Sequence, residues 1–356
     1  MAEPVVNTDF YAPRFEIKIK GTAPLPTTAV ISVDIDERID RPGMFTLTLN
    51  EWLDIDTQTF TWLDSELVRP GNEVLILFGY NAKSRKFTGK IKALSPSFPS
   101  TGIPTLKVEG YDLSHGMQKT ESKVKDTDVK YSDVAKEIAR KNDLTTTGVE
   151  DTLKKHKVVK RNKNESDYAL LDRLARNIGY EFFVRGKTLY FRSPKDNQSK
   201  SVSFRFRKNV ISFSPRLSTT PTVNEVEVTA WNERSKKPIV ATARISDIET
   251  SVGIPDFDKL VEKSEGKKIK IKREGRAVKS EDEAKILAIG ELKRANDGFI
   301  GGTLDCIGNP DLAPGMSIEI TGVGKNWFSG TYYVKGARHS LSDAGYTTTL
   351  DVRRCL

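Results

Sequence analysis

Between Arg14 and Tyr111, hydrophobic and polar residues alternate in short runs. Phe15-Glu-Ile-Lys-Ile19, Phe45-Thr-Leu-Thr-Leu49 and Thr105-Leu-Lys-Val108 repeat with period two, which puts their apolar side chains on one face of a strand. Val74-Leu-Ile-Leu-Phe78 reads as a continuous apolar strand. Arg41-Pro-Gly43, Arg69-Pro-Gly-Asn72 and Gly102 near Pro104 are turn signals between them. The spacing predicts a barrel or a sandwich.

After Met117 the period changes. Ser132 is placed to cap a helix running to Lys141, with Val134, Ala135, Ile138 and Ala139 forming one apolar stripe. A second helix, from about Ser166 to Ile178, aligns Leu170, Leu171, Leu174, Ala175 and Ile178 and stops at Gly179. Strands over Glu181–Val184 and Thr188–Arg192 follow, joined by an Arg185-Gly-Lys187 turn. The β pattern returns over Val202–Arg207 and Val223–Thr229 and closes the chain from Gly302 to Val352. Residues 233–297 interrupt it with a basic run, Lys259 to Lys279, and a helix that opens on a capping box, Ser280 with Glu283. The reading is therefore mainly β with α+β insertions. A first barrel spans 1–117, an α+β module 118–200, and a second barrel 201–356, broken by a loop-plus-helix insertion at about 233–297.

The first and last β regions match in order. Pro70-Gly71 with Val74 and Ile76 corresponds to Pro314-Gly315 with Ile318 and Ile320. Phe87-Thr-Gly89 with Ile91 corresponds to Phe328-Ser-Gly330 with Tyr332, and Thr105-Leu106 with Val108 to Thr349-Leu350 with Val352. Proline fixes φ and glycine accepts positive φ at each turn. Two similar barrels in one chain are expected, and three such chains would present six similar units around a threefold axis, as an adaptor between sixfold and threefold objects must.

The chain has 356 residues, a length that suits two or three domains, and no apolar run long enough for a membrane-spanning helix. Its start lacks the basic flank and apolar core of an export signal, so membrane insertion and export are not expected. The two cysteines, Cys306 and Cys355, form no Cys-x-x-Cys pair, and the net charge of +9 is too diluted to imply nucleic acid by itself.

Val68-Arg-Pro-Gly-Asn-Glu-Val74, Phe87-Thr-Gly-Lys-Ile91, Asn164-Glu-Ser-Asp-Tyr-Ala-Leu-Leu-Asp-Arg-Leu-Ala175 with Gly179, Leu312-Ala-Pro-Gly315, Phe328-Ser-Gly-Thr-Tyr332, His339 and Gly345-Tyr-Thr-Thr348 resemble, in order, the phage late control protein D family. The resemblance implies a phage tail hub fold: tandem similar barrels, trimeric with pseudo-sixfold symmetry, in the baseplate of a phage tail, tailocin or contractile injection system. Implied partners are a hexameric inner tube protein, a trimeric spike protein and other baseplate proteins. The hub part of the valine-glycine repeat spike proteins of type VI secretion has the same fold. Because the sequence ends at Leu356 without a neck or a repetitive β-helix, a separately encoded spike is expected, with assembly in the bacterial cytoplasm.

Residues that could carry chemistry have ordinary structural readings. His115, His156 and His339 show no metal spacing, no Gly-x-Ser-x-Gly elbow occurs, and the cysteines lack a nucleophile signature. Gly322-Val-Gly-Lys325 has Glu319 and Asn326 where a phosphate loop needs Gly and Ser or Thr, so it reads as a turn. Asp34 with Asp36, and Asp54 with Asp56, read as solvated strand faces. Phe204-Arg-Phe-Arg-Lys208 reads as a strand that buries Phe204 and Phe206 and turns Arg205 and Arg207 outward, and Arg205, Arg207 and Lys208 form a candidate assembly surface. Catalytic, cofactor and metal sites are expected to be absent. The expected function is structural, a homotrimeric baseplate hub. A tail-associated peptidoglycan hydrolase and a nucleic-acid-binding β protein stand as alternatives.

Overall fold

The computed structural model describes residues 13–80, 85–152, 155–195, 202–219, 222–232, 236–248, 262, 270–274, 280–324 and 326–354. The first barrel is built from β1 (Arg14–Ile19), β2 (Val30–Arg38), β3 (Met44–Asn50), a small hairpin of β4 (Leu53–Asp54) and β5 (Thr59–Phe60), then β6 (Glu73–Gly79), β7 (Arg85–Ser97) and β8 (Thr105–Asp112). Its strands run in the order β1-β6-β7-β8-β3-β2. The alternation seen in the sequence is the burial pattern: Phe45, Leu47 and Leu49 of β3 are buried and face Val33, Ile35, Leu106 and Val108 in one core. In β6, Val74, Ile76 and Phe78 are fully buried while Leu75 and Leu77 are half-buried, so the apolar run has one core face.

The middle module holds β9 (Thr127–Lys130), α1 (Tyr131–Lys141), β10 (Thr145–Val149), β11 (Lys155–Val158), α2 (Asp167–Asn177), β12 (Glu181–Arg185) and β13 (Thr188–Arg192). The two apolar helix stripes close over β12 and β13 to give a separate core. Ser132 does not cap α1. It lies in the first turn, where its hydroxyl accepts the Thr152 N–H, while the Asp133 carboxylate takes the Lys130 N–H. The Glu-Ser-Asp segment before α2 is a structural clamp. Ser166 caps the helix, Glu165 receives Arg173 at 2.6 Å, and buried Asp167 accepts from Thr120, Ser122 and Arg161.

The second barrel comprises β14 (Val202–Arg205), β15 (Ser212–Leu217) and, after an insertion, β19 (Ile300–Ile307), β20 (Ser317–Thr321), β21 (Gly330–Ser342) and β22 (Gly345–Arg354). Its order, β14-β20-β21-β22-β19-β15, repeats that of the first barrel. One pairing differs: β1 is antiparallel to β6, whereas β14 is parallel to β20. The insertion contains β16 (Glu225–Asn232), β17 (Lys237–Arg244), β18 (Lys270–Glu274) and α3 (Glu281–Asn296), with its own core. It therefore starts earlier than residue 233. The strand read at Val223–Thr229 pairs with β17 and β18 and belongs to the insertion, because Val226 and Val228 face the α3 residues Ala284, Ala288 and Leu292. Most of the basic run Lys259–Lys279 lies outside the described residues, as does Cys355.

Hydrogen bonding fixes how the two barrels correspond. Gly71 N–H donates to Ile91 O and Ile91 N–H to Asn72 O; Gly315 N–H donates to Val334 O and Val334 N–H to Met316 O. Both glycines have positive φ, 96° and 80°. A β-bulge follows in each, between Ile91 and Ala93 and between Val334 and Gly336. Pro70-Gly71 and Pro314-Gly315 thus occupy matching turns. The other two sequence matches are each displaced by two residues. Phe87 lies opposite Ile76 as Gly330 lies opposite Ile320, so Gly89 matches Tyr332, while Phe328 stands in the loop before β21. Likewise Val108 matches Leu350 and Gly110 matches Val352. A shift of two keeps the same strand face, so the alternation could not reveal it.

Volume explains the mismatch in identity. In the first barrel the Phe45 ring fills space left by Gly89 and Gly110; a methyl on Gly110 would fall 2.5 Å from that ring and 2.2 Å from Lys90 O. At the matching positions of the second barrel stand Gly302, Tyr332 and Val352, so the large residue has moved from β3 to the strand matching β7. The large aromatic side chain has thus exchanged strands, and Val352 adds apolar volume where the first barrel has Gly110. Substitutions at one matched position should then act in opposite senses. Gly110→Ala overfills the core and is expected to cost about 3 kcal/mol, and Val352→Ala empties it at about 2 kcal/mol. Urea denaturation midpoints check this, and a neutral Gly110→Ala would contradict the packing argument.

Candidate assembly interface

The residues that join the barrels come from strands whose pattern was already legible. β2 lies antiparallel to the far half of β21, from Ser32 opposite Ser342 to Arg38 opposite Gly336. The bulge in β21 makes this possible: its first residues pair with β20, and the strand is then re-aimed so that the rest pairs with β2. On the outer face, Asp34 accepts from Arg338 at 3.0 Å and from Ser340, Arg38 reaches Asp351 at 2.8 Å, and Arg41 reaches Asp36 at 2.9 Å. The Asp34 and Asp36 carboxylates are therefore ion-paired rather than merely solvated. Asp54 differs again, because its Oδ1 accepts the N–H groups of Asp56 and Thr57 at the tip of the β4–β5 hairpin.

The inner face of the seam is aromatic and polar together. His339 is fully buried: Nδ1 meets Tyr346 Oη at 2.8 Å and Thr348 Oγ1 at 3.2 Å, and Nε2 meets Leu312 O at 3.2 Å. Phe78 of the first barrel packs on this imidazole with ring centroids 5.1 Å apart, and Tyr80 Oη donates to Gly308 O of the second barrel. Burial first, and then the nearby Arg85 guanidinium, push the His339 pKa down to about 4, so the ring is neutral at pH 7. Glu37 is buried against Arg85. Burial acts to raise its pKa, but Arg85 and Arg185 outweigh that and hold it below the ordinary carboxylate range.

The middle module locks onto the second barrel at the Pro314-Gly315 turn. Arg185 donates to Pro314 O, and Arg192 donates to Gly315 O at 2.8 Å while pairing with Glu181 at 3.0 Å. Glu181 also accepts from Tyr333, and both guanidiniums lie over the stacked rings of Phe183 and Tyr190. The matching Pro70-Gly71 turn is exposed, and a methyl added to Gly71 would meet nothing within 4 Å. Lys187 at the β12–β13 turn reaches Glu73 beside it at 2.9 Å.

Of the residues singled out from sequence, Phe87 is buried in β7 edge-on to Phe45, Gly89 lies beneath that ring, and Gly330 opens β21. Arg205, Arg207 and Lys208 are exposed, but the strand ends at Arg205 instead of continuing to Arg207. Arg207 adopts φ of 64°, which turns the chain; Phe206 is 47% exposed, and the Arg207 guanidinium lies 5.7 Å from its ring centroid. One exposed ring is not the row of stacking platforms that single-strand binders present. His115 stacks on Tyr111 and His156 on Tyr131. Cys306 is buried, and burial, with Asp305 nearby, pushes its thiol up to about 12, far from a nucleophile's range. Among the described residues, no three His, Cys, Asp or Glu side chains cluster as a metal site would require. Sequence reasoning did not find Glu37, Arg85, Arg185 or Arg192, since ion pairs between distant segments leave no local pattern.

A model of the Alg8 N-terminal domain family matches residues 11–343. This is a different family name from the late control protein D resemblance. No curated protein matches the chain. Among solved structures, the 43 kDa tail protein of prophage MuSo2 from Shewanella oneidensis is 14% identical, with a TM-score of 0.71 over 96% of this chain and 98% of that one. A tail protein from Neisseria meningitidis MC58 is 13% identical, with a TM-score of 0.71 over 97% of each chain. The E. coli c3393 protein, described as a type VI secretion component structurally similar to T4 tail proteins gp27 and gp5, is 11% identical, with a TM-score of 0.59 over 95% of this chain and 76% of that one. At these identities the likeness establishes a shared fold.

The buried imidazole makes a testable statement about acid. Below pH 6.5 an unfolded chain protonates His339, whereas the folded chain resists until about pH 4. Stability is therefore lost as pH falls through that window, by about 3 kcal/mol in all. Urea denaturation between pH 7.5 and 4.5 should show the loss, and a His339→Leu variant, less stable at pH 7.5, should show a shallower pH slope. An unchanged slope would contradict the assignment.

Proposed function

Since the chain belongs to the Alg8 N-terminal domain family and shares its fold with prophage tail proteins, we propose that it is a structural baseplate hub, not an enzyme. In this reading it forms a homotrimer in a phage tail, tailocin or contractile injection particle and joins a hexameric inner tube to a trimeric spike. The resemblance to the late control protein D family supports the same reading. The observation that carries it is the duplicated barrel: one strand order and one bulge, twice, laid edge to edge by β2 and β21. Three copies of such a chain supply six similar barrels, so a tube subunit meets nearly the same surface at each of six positions.

The departures from the repeat supply the threefold character. Residues 51–72 of the first barrel carry the β4–β5 hairpin, whereas the matching stretch of the second, residues 308–316, is a short loop. The hairpin and its surroundings expose Trp52, Leu53, Ile55 and Ile103. Such a patch would appear three times in a trimer, a surface suited to a threefold partner. The insertion of β16–β18 and α3 also occurs once per chain.

Native mass measurement of the purified chain should give a trimer, and image averaging of particles should place it at the end of the tube. Particles from a strain lacking it should have no joined tube and spike. A chain that stays monomeric at high concentration and is absent from the tube end overturns the reading.

A further inference from the structure

The pairing that joins the barrels inside the chain has an unused counterpart on each outer edge. We propose that these edges meet between neighbouring copies, with β15 of one copy antiparallel to the far half of β7 of the next, Phe213 opposite Phe98 and Leu217 opposite Leu94. The proposal rests on the hub reading and adds to it the contact surface and its register.

The argument starts from β21. Past its bulge it has β22 on one side and β2 on the other. Past the matching bulge, β7 has β8 on one side, and among the described residues no strand pairs with Ala93–Ser97 on the other. The strand matching β2 is β15: Phe213 lies opposite Leu304 as Val33 lies opposite Leu47. β15 pairs with β19, and its other edge is likewise unpaired among the described residues. One open edge thus matches each partner of the internal seam, so a second copy supplies what each lacks.

Backbone directions agree with this. Ile39 N–H donates to Lys335 O directly across the internal seam, and since bonded pairs alternate, Ile35 and His339 form a hydrogen-bonded pair. Ser218 N–H donates to Phe299 O, so the intervening Phe213, Pro215 and Leu217 aim their backbone groups away from β19, into the open edge. Carried across, the Ile35–His339 rung becomes Pro215 opposite Pro96. Each proline is tolerated where it stands because its nitrogen faces no strand in its own chain. The two missing donors fall in a single rung, and the rungs on either side, Phe213–Phe98 and Leu217–Leu94, keep theirs.

The outer seam is built to be weaker than the inner one. Where Asp34 takes Arg338 and Ser340, the outer seam has Ser214 facing Ser95 and Ser97; where Asp36 stands, it has Arg216. Apolar contact replaces the ion pairs, since Phe98 is 55% exposed on one edge and Ile211 60% exposed beside the other. Closure of the ring is therefore reversible, while the two barrels of one chain stay joined.

The test places Ser97→Cys and Ser214→Cys in the full chain on a Cys355→Ser background. Both serines are exposed and fall in a non-hydrogen-bonded pair, whose Cα atoms lie about 4.5 Å apart, within disulfide reach. Mild oxidation should convert the protein to covalent trimer. The pair Ser95→Cys with Ser214→Cys, two residues out of register, should yield at least about fivefold less. A second variant, Pro96→His with Pro215→Ile, reproduces the internal rung and should tighten self-association at least about tenfold. Trimer by mass with equal cross-linking in both pairs, or with cross-links only within one chain, overturns this register and leaves the hub reading intact. Tightened association absent in the proline variant also counts against it. A chain monomeric throughout, with no cross-link, overturns both.

Discussion

Two barrels are joined edge to edge because a single strand, β21, serves two partners. A strand with straight pleating offers each edge to one neighbour along its whole length. The bulge at Lys335 breaks that constraint by inserting one residue and rotating the far half, so that β20 is left behind and β2 is met. The seam, the burial of His339 and the docking of Phe78 follow from that bend. The same bend recurs at Lys92, where the chain itself supplies no second partner among the described residues.

The seam is stiff more than it is strongly stabilising. Exposed pairs such as Asp34–Arg338 each contribute about 0.2–1 kcal/mol. The buried Glu37–Arg85 pair repays little more than its desolvation, although removing one partner would cost about 3–5 kcal/mol through the stranded charge. What such groups provide is direction. A neutral imidazole held by Tyr346, Thr348 and Leu312 admits one relative placement of the barrels, and the apolar contacts of Phe78, Leu341 and Tyr346 then act at that placement alone. The proposed adaptor would need a fixed angle between tube and spike, and hydrogen-bond geometry sets angles where apolar burial does not.

The sequence disclosed the features that repeat locally. Period-two alternation gave the strands, three-and-four spacing gave α1 and α2, and Pro-Gly pairs gave the matched turns. It misled where identity stood in for equivalence: Phe87 looks like Phe328, yet register pairs it with Gly330, because the second barrel fills the same space with Tyr332. Core volume is shared among three or four residues from different strands, and no single position has to conserve it. The start of the insertion was misplaced for a related reason. Val223–Thr229 carries a strand pattern whichever sheet it joins, and only the α3 residues opposite it decide. The hydrogen bonds from Arg185 and Arg192 to the turn were invisible, since their acceptors are carbonyls more than a hundred residues away.

In the proposed trimer, duplication alone would give a sixfold object, and threefold character requires the copies to differ where it matters. The two Pro-Gly turns show how little change suffices. Their backbone hydrogen bonds are the same, yet Pro314-Gly315 is roofed by Arg185 and Arg192, whereas Pro70-Gly71 is open. The middle module follows the first barrel in the chain and docks onto the second, so it covers one turn of each pair and leaves the other free. The hairpin at 53–60 and the exposed Ile55 lie on the barrel whose turn is open. In the proposed trimer, unequal covering of equal barrels would separate a repeated surface, suited to six tube subunits, from features present once per chain, suited to three, and both would arise from where two segments were placed in one polypeptide.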